Sequence, residues 1–497
     1  MKPIIHCCRP LLWSITAVVL MSGCASMAPD YQRPDAPIPA QLPDADSQSQ
    51  NNLNAAQQLP WQDFIQDQRL EQVIEQALAN NRDLRATIAD VAAARATYRG
   101  QSADQYPALG ASIEGSRVNT DGSVSSDWQA TGGLSAYEID LFGKNSSLTD
   151  AERESYYASA ETARAAHISL IAETANAWLT LASDQNRLAL AQQTANSAQK
   201  AMEITAKRLE LGVDSRIDLV SAETTYHSAR ADIASYRNQV AQDQNALQLL
   251  VGSDLDDALL PTSLPTTQQL VTDIPVGLSS AVLLQRPDVL AAEHTLKSAN
   301  ANIGAARAAY FPSLSLTATG GVASAALSSL FSGGASTIWT LAPSLSMNIF
   351  DWGSKEADLE AAKAEQQKYL ADYEYTIQSA FAEVANALAR RATIQDQLDA
   401  ESAYVDAAGR SHELAMKRYQ AGVDSFQDTL LSERTYYSAQ QELISSQLEE
   451  LSNRITLYRV LGGGLAEPEP ATTAAPVAEI TPAAPVAEIT PATATES

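Results

Sequence analysis

Two groups of residues in this sequence have the types and spacing to do chemistry: a histidine beside a glutamate, and carboxylates clustered at two matching turns. His412-Glu413-Leu414-Ala415-Met416 falls one residue short of His-Glu-x-x-His, in which two histidines ligate zinc from one helix face. Met416 holds the second ligand position, so His412 reads as a solvated helical residue. His167, His227 and His294 are scattered, without Cys or paired carboxylates nearby, and no Walker loop or Gly-x-Ser-x-Gly turn occurs. Neither an enzyme nor a metal site nor a cofactor is expected. The carboxylates are better candidates. "LGVDSRIDLV" (211–220) and "AGVDSFQDTL" (421–430) place Asp214, Asp218, Asp424 and Asp428 just past a glycine, with Arg434 shortly after the second. Carboxylates gathered into a ring repel one another, which invites cation binding or pairing with an arginine.

Long helices must carry these turns. One run without Gly or Pro goes from Lys144 to Leu211, and a second, with Gly409 as its one glycine and no proline, from Ser354 to Ala421, each about 100 Å long at about 1.5 Å per residue. Gly212 and Gly422 stand where a helix ends in a left-handed residue. Ser215 with Asp218, and Ser425 with Asp428, have capping-box spacing for a returning helix. Each Gly-Val-Asp-Ser is therefore read as the tip of a helical hairpin. The returning arms, 215–252 and 425–462, are about half the outgoing length. The helices that precede the strands, 69–104 and 278–309, have the right length to stack end to end on them. Leu181, Leu188, Ala195, Met202 and Leu209 recur every seven residues as an alanine-diluted coiled-coil seam. Leu398, Val405 and Tyr419 keep that spacing in the second half, interrupted by His412.

The two turns belong to a duplication of the whole chain. At an offset of 210, Lys207-Arg208, Asp218, Glu223 and Tyr226 match Lys417-Arg418, Asp428, Glu433 and Tyr436. The expected organisation is a leader (1–23), an extended segment (24–65), a first repeat (66–277, strands within 106–142, tip near 212–215), a second repeat (278–464, strands within 311–350, tip near 422–425) and a Pro/Ala/Thr-rich tail (465–497) expected to be disordered. Lys2, Arg9 and the apolar run from Leu11 make a signal peptide, and "LMSGC" resembles the lipobox that makes Cys24 the lipidated first residue. Ordinary cleavage at a small residue is the alternative. Cys7, Cys8 and Cys24 are the chain's three cysteines, so the mature protein has neither disulfides nor thiolate metal sites. Loss of Lys2 and Arg9 with the leader leaves 31 of the 33 basic residues against 59 acidic ones, a net of −28. Such a chain repels nucleic acid.

Ser313 onward alternates Leu314, Leu316 and Ala318 with hydroxyl residues, and Trp339, Leu341, Leu345, Met347 and Ile349 alternate with Thr340, Ser344, Ser346 and Asn348. That is the apolar-out pattern of an outer-membrane strand, although any one such strand also fits a half-buried soluble sheet. A weaker pair is expected at 108–118 and 126–142. Four strands cannot close a barrel, and open edges are not tolerated in lipid. Two chains give eight strands with a filled interior, and three give twelve with an aqueous lumen, which makes a homotrimer the simplest solution.

"LLQRPDVLAAEHTLKSANANIGAARAAYFPSLSL" (283–316), "IFDWG" (349–353), "EIDLFGK" (138–144) and the second tip resemble the TolC-like outer-membrane factors, specifically the lipoprotein branch that includes OprM. The resemblance covers 28–464. It implies a mainly α fold with a trimeric twelve-stranded membrane β-barrel continuous with a periplasmic α-helical barrel. It also implies a passive conduit for drugs or small toxic compounds, coupled through a periplasmic adaptor to an inner-membrane pump of the RND type. An outlet for secreted protein or metal ions, or a non-conducting structural lipoprotein, are the alternatives. The covalent lipid on Cys24 is the one attached group implied. Gly212, Val213, Gly422 and Val423 become candidate adaptor contacts. In the OprM-like tip a Leu, an Asp and an Arg help close the periplasmic aperture; here those positions hold Gln427, Leu431 and Arg434. Asp214, Asp218, Asp424 and Asp428 complete the aperture candidates. Asp428 and Arg434 are six apart, too far for a contact on one helix face, so pairing is expected with neighbouring helices.

Overall fold

The computed structural model describes residues 26–42, 59–272 and 280–463; the leader, Cys24 and the tail 465–497 lie outside them. Helix α1 (Gln68–Asn80) starts at Asp67, whose carboxylate accepts from the backbone N–H groups of Arg69 and Leu70. Leu70, Val73, Ile74 and Ala77 form its buried face at helical spacing. The single helix expected over 69–104 is broken at Asn81. That residue leaves helical geometry (ψ 130°), caps α2 (Arg82–Ala103) by accepting from Leu84 N–H, and donates its amide to the Leu250 carbonyl at 2.7 Å.

Strands β1 (Leu109–Thr120) and β2 (Ser123–Ile139) meet at Asp121-Gly122, both left-handed at φ 51° and 86°. Such a pair makes a two-residue hairpin turn that matches strand twist. Both strands therefore run closer to the turn than the expected 108–118 and 126–142, and β2 stops at Ile139. Helix α3 (Lys144–Glu210) follows, then α4 (Arg216–Val251), α5 (Pro287–Ala308), β3 (Ser313–Ser324), β4 (Ser336–Ser346), α6 (Ser354–Gln420) and α7 (Phe426–Val460). Helix α5 begins later than the expected 278, after a 3-10 turn at Ser280–Gln285, because Pro287 needs no partner for its missing N–H at the first helical position.

The two 67-residue helices leave the sheet in the same way. Gly143 and Gly353 are left-handed (φ 71° and 87°). Asp140 accepts from Lys144 N–H at 2.8 Å and Ser146 N–H at 2.9 Å; Asp351 accepts from Gly353 N–H and Lys355 N–H at 3.2 and 3.3 Å. A carboxylate at each helix start also suits the helix dipole.

The four strands form one antiparallel sheet in the order β1-β2-β3-β4. Among the described residues β1 and β4 each have one neighbour, so both edges are open. Trp339, Leu341 and Leu345 on β4, and Met347 and Ile349 just beyond its end, are each more than half exposed, an apolar side that no protein covers among the described residues. No helix among the described residues is long and apolar enough to cross a membrane.

The returning helices end against the pre-strand ones. A Cβ on left-handed Gly252, at the end of α4, would stand 2.7 Å from the Asn80 carbonyl oxygen. At the second junction the Arg286 guanidinium donates to the Val460 carbonyl at 2.9 Å and also bridges Asp288 and Glu383. The main core lies at this level, built from Trp61, Phe64, Leu70, Ile74, Trp178, Leu247 and Tyr458, with Phe64 stacked on Tyr458 at 4.2 Å. Below it the buried stripe of α3 runs through Ala191, Ala195, Ala198, Ala201 and Thr205. Of the expected seam only Leu181 and Ala195 are fully buried; Leu188, Met202 and Leu209 are partly covered. Close helix approach selects the small side chain over the large one here. Equal in length, α3 buries 22 residues and α6 only 8, which puts α3 inside the layer of helices and α6 at its edge.

The N-terminal segment is laid along α5 in the opposite direction. Arg307 donates to the Met27 carbonyl at 3.1 Å, Asn300 to that of Pro29 at 2.8 Å, and Ser280 N–H to that of Ala40 at 3.2 Å. Between them Arg33 and Lys297 both pair with the buried Glu293 carboxylate. Met27 thus lies at the sheet end of the helices.

Candidate functional site

Both hairpin tips are built by the same local chemistry. Left-handed Gly212 (φ 70°) lets Val213 N–H reach back to the Arg208 carbonyl at 2.8 Å, and left-handed Gly422 (φ 73°) lets Val423 N–H reach that of Arg418 at 2.9 Å. The chain reverses, so a residue six places on returns beside the arginine. Arg208 Nε lies 3.1 and 3.0 Å from the two Asp214 oxygens, and Arg418 lies 2.5 and 2.7 Å from those of Asp424. Asp424 is held below the usual carboxylate range by that arginine. At the first tip the capping box is complete, Ser215 and Asp218 satisfying each other's backbone N–H. At the second, Ser425 donates its hydroxyl to Asp428 at 2.7 Å, with no side-chain bond to the helix backbone.

The tips are also tied to one another. Tyr419, at the end of α6, donates its hydroxyl to the Asp214 carboxylate of the first tip, and lies 3.1 Å from Thr205 Oγ1. The Arg208 guanidinium covers the Tyr419 ring at 4.6 Å. Burial and the Asp214 carboxylate raise the Tyr419 phenol above its ordinary value, so it stays a donor. Ala201, Ala222, Tyr419, Phe426 and Leu430 form a small core beneath this tie. Sequence reasoning missed Tyr419 in this role and missed Glu433, which is buried on the inner face of α7 with its carboxyl pushed up to about 6. The available signal was position: Tyr419 stands three residues before Gly422, and Glu433 is four past Thr429 on a buried stripe.

Gln427, Asp428, Leu431 and Arg434 lie on the opposite, exposed face of α7. Among the described residues Arg434 has no ion pair, and Asp428 is hydrogen-bonded by Ser425. Leu211, Val213, Ile217 and Val423 are more than 60% exposed, so both tips present apolar side chains outward. His412 is half-buried, its imidazole held below its ordinary pKa by that burial, and its Nδ1 is 3.5 Å from Ser432 Oγ. Glu413 pairs with Lys417 instead. Among the described residues no cluster of His, Cys, Asp or Glu has the makings of a metal site.

A sheet with an uncovered apolar face, continued by helices about 100 Å long, is the frame of an outer-membrane channel protein. Comparison with known proteins agrees. The outer membrane efflux protein family profile matches residues 73–253 and 278–463. The toluene efflux pump outer membrane protein TtgC of Pseudomonas putida is 41% identical over 465 residues, covering 91% of this chain and 95% of the relative. The cation efflux system protein CusC of Escherichia coli is 40% identical over 456 residues, 89% and 97% of the two chains. Among solved structures, the open state of the Neisseria gonorrhoeae MtrE outer membrane channel is similar, with a TM-score of 0.80, 37% identity, and coverage of 89% of this chain and 99% of that one. The chain belongs to the outer membrane efflux protein family, and it works in the outer membrane as an efflux channel.

Proposed function

We propose that three copies of this chain pair β1 of one with β4 of the next into a twelve-stranded barrel, and that their helices continue it as a periplasmic tunnel. Through this duct, drugs and other small toxic compounds leave after delivery by an inner-membrane pump of the RND type and a periplasmic adaptor. One observation carries the reading: the four-stranded sheet has two open edges and an apolar outer face, while α6 at the matching edge of the helical layer buries far less than α3. An unpaired strand edge in lipid leaves backbone groups unsatisfied, so the edges require partners. The exposed apolar tips, with Gly212, Val213, Gly422 and Val423, supply the adaptor contact. Gln427, Asp428, Leu431 and Arg434, on the exposed face of α7 beside the Asp214, Asp218 and Asp424 turns, line the aperture.

Deleting the gene should raise susceptibility to organic solvents and bulky antibiotics at least several-fold, and a plasmid copy should restore it. Sensitisation confined to soft metal cations would move the reading to the activity named in CusC. Unchanged susceptibility across solvents, antibiotics, detergents and metals would remove the efflux role.

Cys24 carries the lipid in this reading, which the path of the N-terminal segment supports. Met27, three residues on, lies beside Arg307 at the sheet end of α5, where an acyl chain reaches the membrane. Cys24→Ala should abolish incorporation of labelled fatty acid while the sheet keeps the protein in the membrane fraction. Full labelling of the variant would rule out the lipobox.

A further inference from the structure

Arg117 is the one Lys or Arg in the four strands, and strand pairing fixes which side of the sheet it occupies. Directly opposed residues of an antiparallel pair share a side, and successive residues of one strand alternate. Ile113, Gly115 and Arg117 lie opposite Ala130, Trp128 and Ser126. Ala130, Gly132 and Leu134 lie in turn opposite Val322, Gly320 and Ala318, and the last two lie opposite Trp339 and Leu341. Arg117 therefore shares a side with the exposed Ile113, Trp339 and Leu341. The Trp128 ring lies on that side too, across β1, since a Cβ on Gly115 would stand 2.5 Å from its Cε3.

Height separates Arg117 from the apolar set. Leu109 starts β1, and Arg117 lies about 27 Å further along the strand at about 3.4 Å per residue, or about 20 Å higher at a tilt of about 40°. The apolar band of an outer-membrane barrel is about 25 Å tall. Arg117 thus stands near the extracellular edge, close to the Asp121-Gly122 turn and far from the helices. Ser126 and Asn119 flank it on the same side, and Asn119 Oδ1 accepts from Gly122 N–H at 3.2 Å, which leaves its amide group to donate.

No carboxylate of the sheet is placed to neutralise this cation. Glu114, Asp127 and Glu138 occupy the alternate positions, on the opposite side, where Asp127 already accepts from Gln129 at 2.7 Å. Asp121 lies in the turn, outside the ladder, and among the described residues Arg117 has no ion pair. Residues 313–350, which hold β3, β4 and the loop between them, contain no Asp or Glu, so a second copy paired through β4 supplies none. A guanidinium at the membrane edge without a protein counter-ion takes an anion from its surroundings, and a phosphate accepts two of its donors at once.

We propose, on the reading of this sheet as part of a membrane barrel, that Arg117, Asn119 and Ser126 bind a phosphate of lipopolysaccharide, the phosphorylated glycolipid of the outer leaflet, one molecule per chain beside the Trp128 ring. Native mass spectrometry of the full-length protein, delipidated in detergent, counts bound lipid with three probes: rough lipopolysaccharide, the same lipid stripped of its phosphates, and phosphatidylglycerol. Wild type should take up one phosphorylated glycolipid per chain and bind the other two roughly tenfold more weakly or worse. Arg117→Gln should lose about the same factor while reaching the outer membrane at wild-type levels. Arg117→Lys, with the charge but not the planar fork, should fall between, and Arg237→Gln on the exposed side of α4 should bind like wild type. Undiminished binding by Arg117→Gln overturns the proposal, as does equal binding of the stripped lipid or of phosphatidylglycerol. A nitroxide on Leu341→Cys reads the surroundings of the sheet separately. Relaxation by lipid-soluble oxygen, with full binding by Arg117→Gln, removes the glycolipid site alone; relaxation by a water-soluble nickel chelate removes the membrane-facing reading beneath it.

Discussion

Gly321→Ala should remove most of the protein from the outer membrane, whereas Gly320→Ala, one residue away, should assemble normally. A Cβ at Gly321 would stand 2.0 Å from the Ala130 carbonyl oxygen and 2.8 Å from Thr131 Cα, both on β2. Those are backbone atoms in a paired strand, so no rotamer change relieves the clash. Nothing lies within 4 Å of a Cβ at Gly320. Relief at 321 requires β2 and β3 to part, and this is the seam that joins the two hairpins of the chain. In lipid the freed backbone groups have no water to turn to, at a cost of several kcal/mol each. Heat-modifiable mobility on gels and the amount of outer-membrane protein report the outcome. Normal assembly of Gly321→Ala would mean that β2 and β3 are not held at this spacing in the membrane.

Features set within a few residues were legible in the sequence. The alternation of Trp339, Leu341 and Leu345 marks the apolar face, and Gly212 and Gly422 mark the tips, because strand pleat and left-handed backbone are local properties. The features that were not legible depend on contacts far along the chain. The break at Asn81 is stabilised by the Leu250 carbonyl, 169 residues away. The seam of α3 was read as a heptad of Leu181, Leu188, Ala195, Met202 and Leu209, yet below the core the buried stripe follows Ala191, Ala195, Ala198 and Ala201, since the spacing of neighbouring helices decides which side chain fits. At the tips, six residues of separation is out of reach on one straight helix face. Arg208 meets Asp214 because the chain reverses at Gly212 between them. Asp428 and Arg434, six apart without a reversal, remain separate. Tyr419 reaches Asp214 across 205 residues, a contact no spacing rule contains.

With the tips forming the constriction proposed above, Asp214→Ala should shift it from mostly closed to mostly open. The Asp214 carboxylate joins two hairpins: it holds Arg208 at 3.0–3.1 Å and accepts the Tyr419 hydroxyl from α6. Its side chain is 7% exposed and that of Arg208 is 21% exposed, so water replaces the lost partners poorly. Leaving such groups unsatisfied costs about 1–3 kcal/mol. If three tips of a trimer move together, the loss is about 3–9 kcal/mol, and about 5.5 kcal/mol is enough to turn a 1:99 equilibrium into 99:1. The second pair differs. Arg418 is 57% exposed, so Asp424→Ala should change little. Single-channel conductance in planar bilayers and uptake of a bulky antibiotic both read the aperture. Asp214→Ala should raise both, Tyr419→Phe should raise them less because Arg208 keeps its partner, and Asp424→Ala should leave them near wild type. Arg434→Ala tests the remaining possibility, an ion pair between chains. Should Arg434→Ala open the channel while Asp214→Ala conducts like wild type, closure is held between subunits and the tie through Tyr419 only shapes the tip.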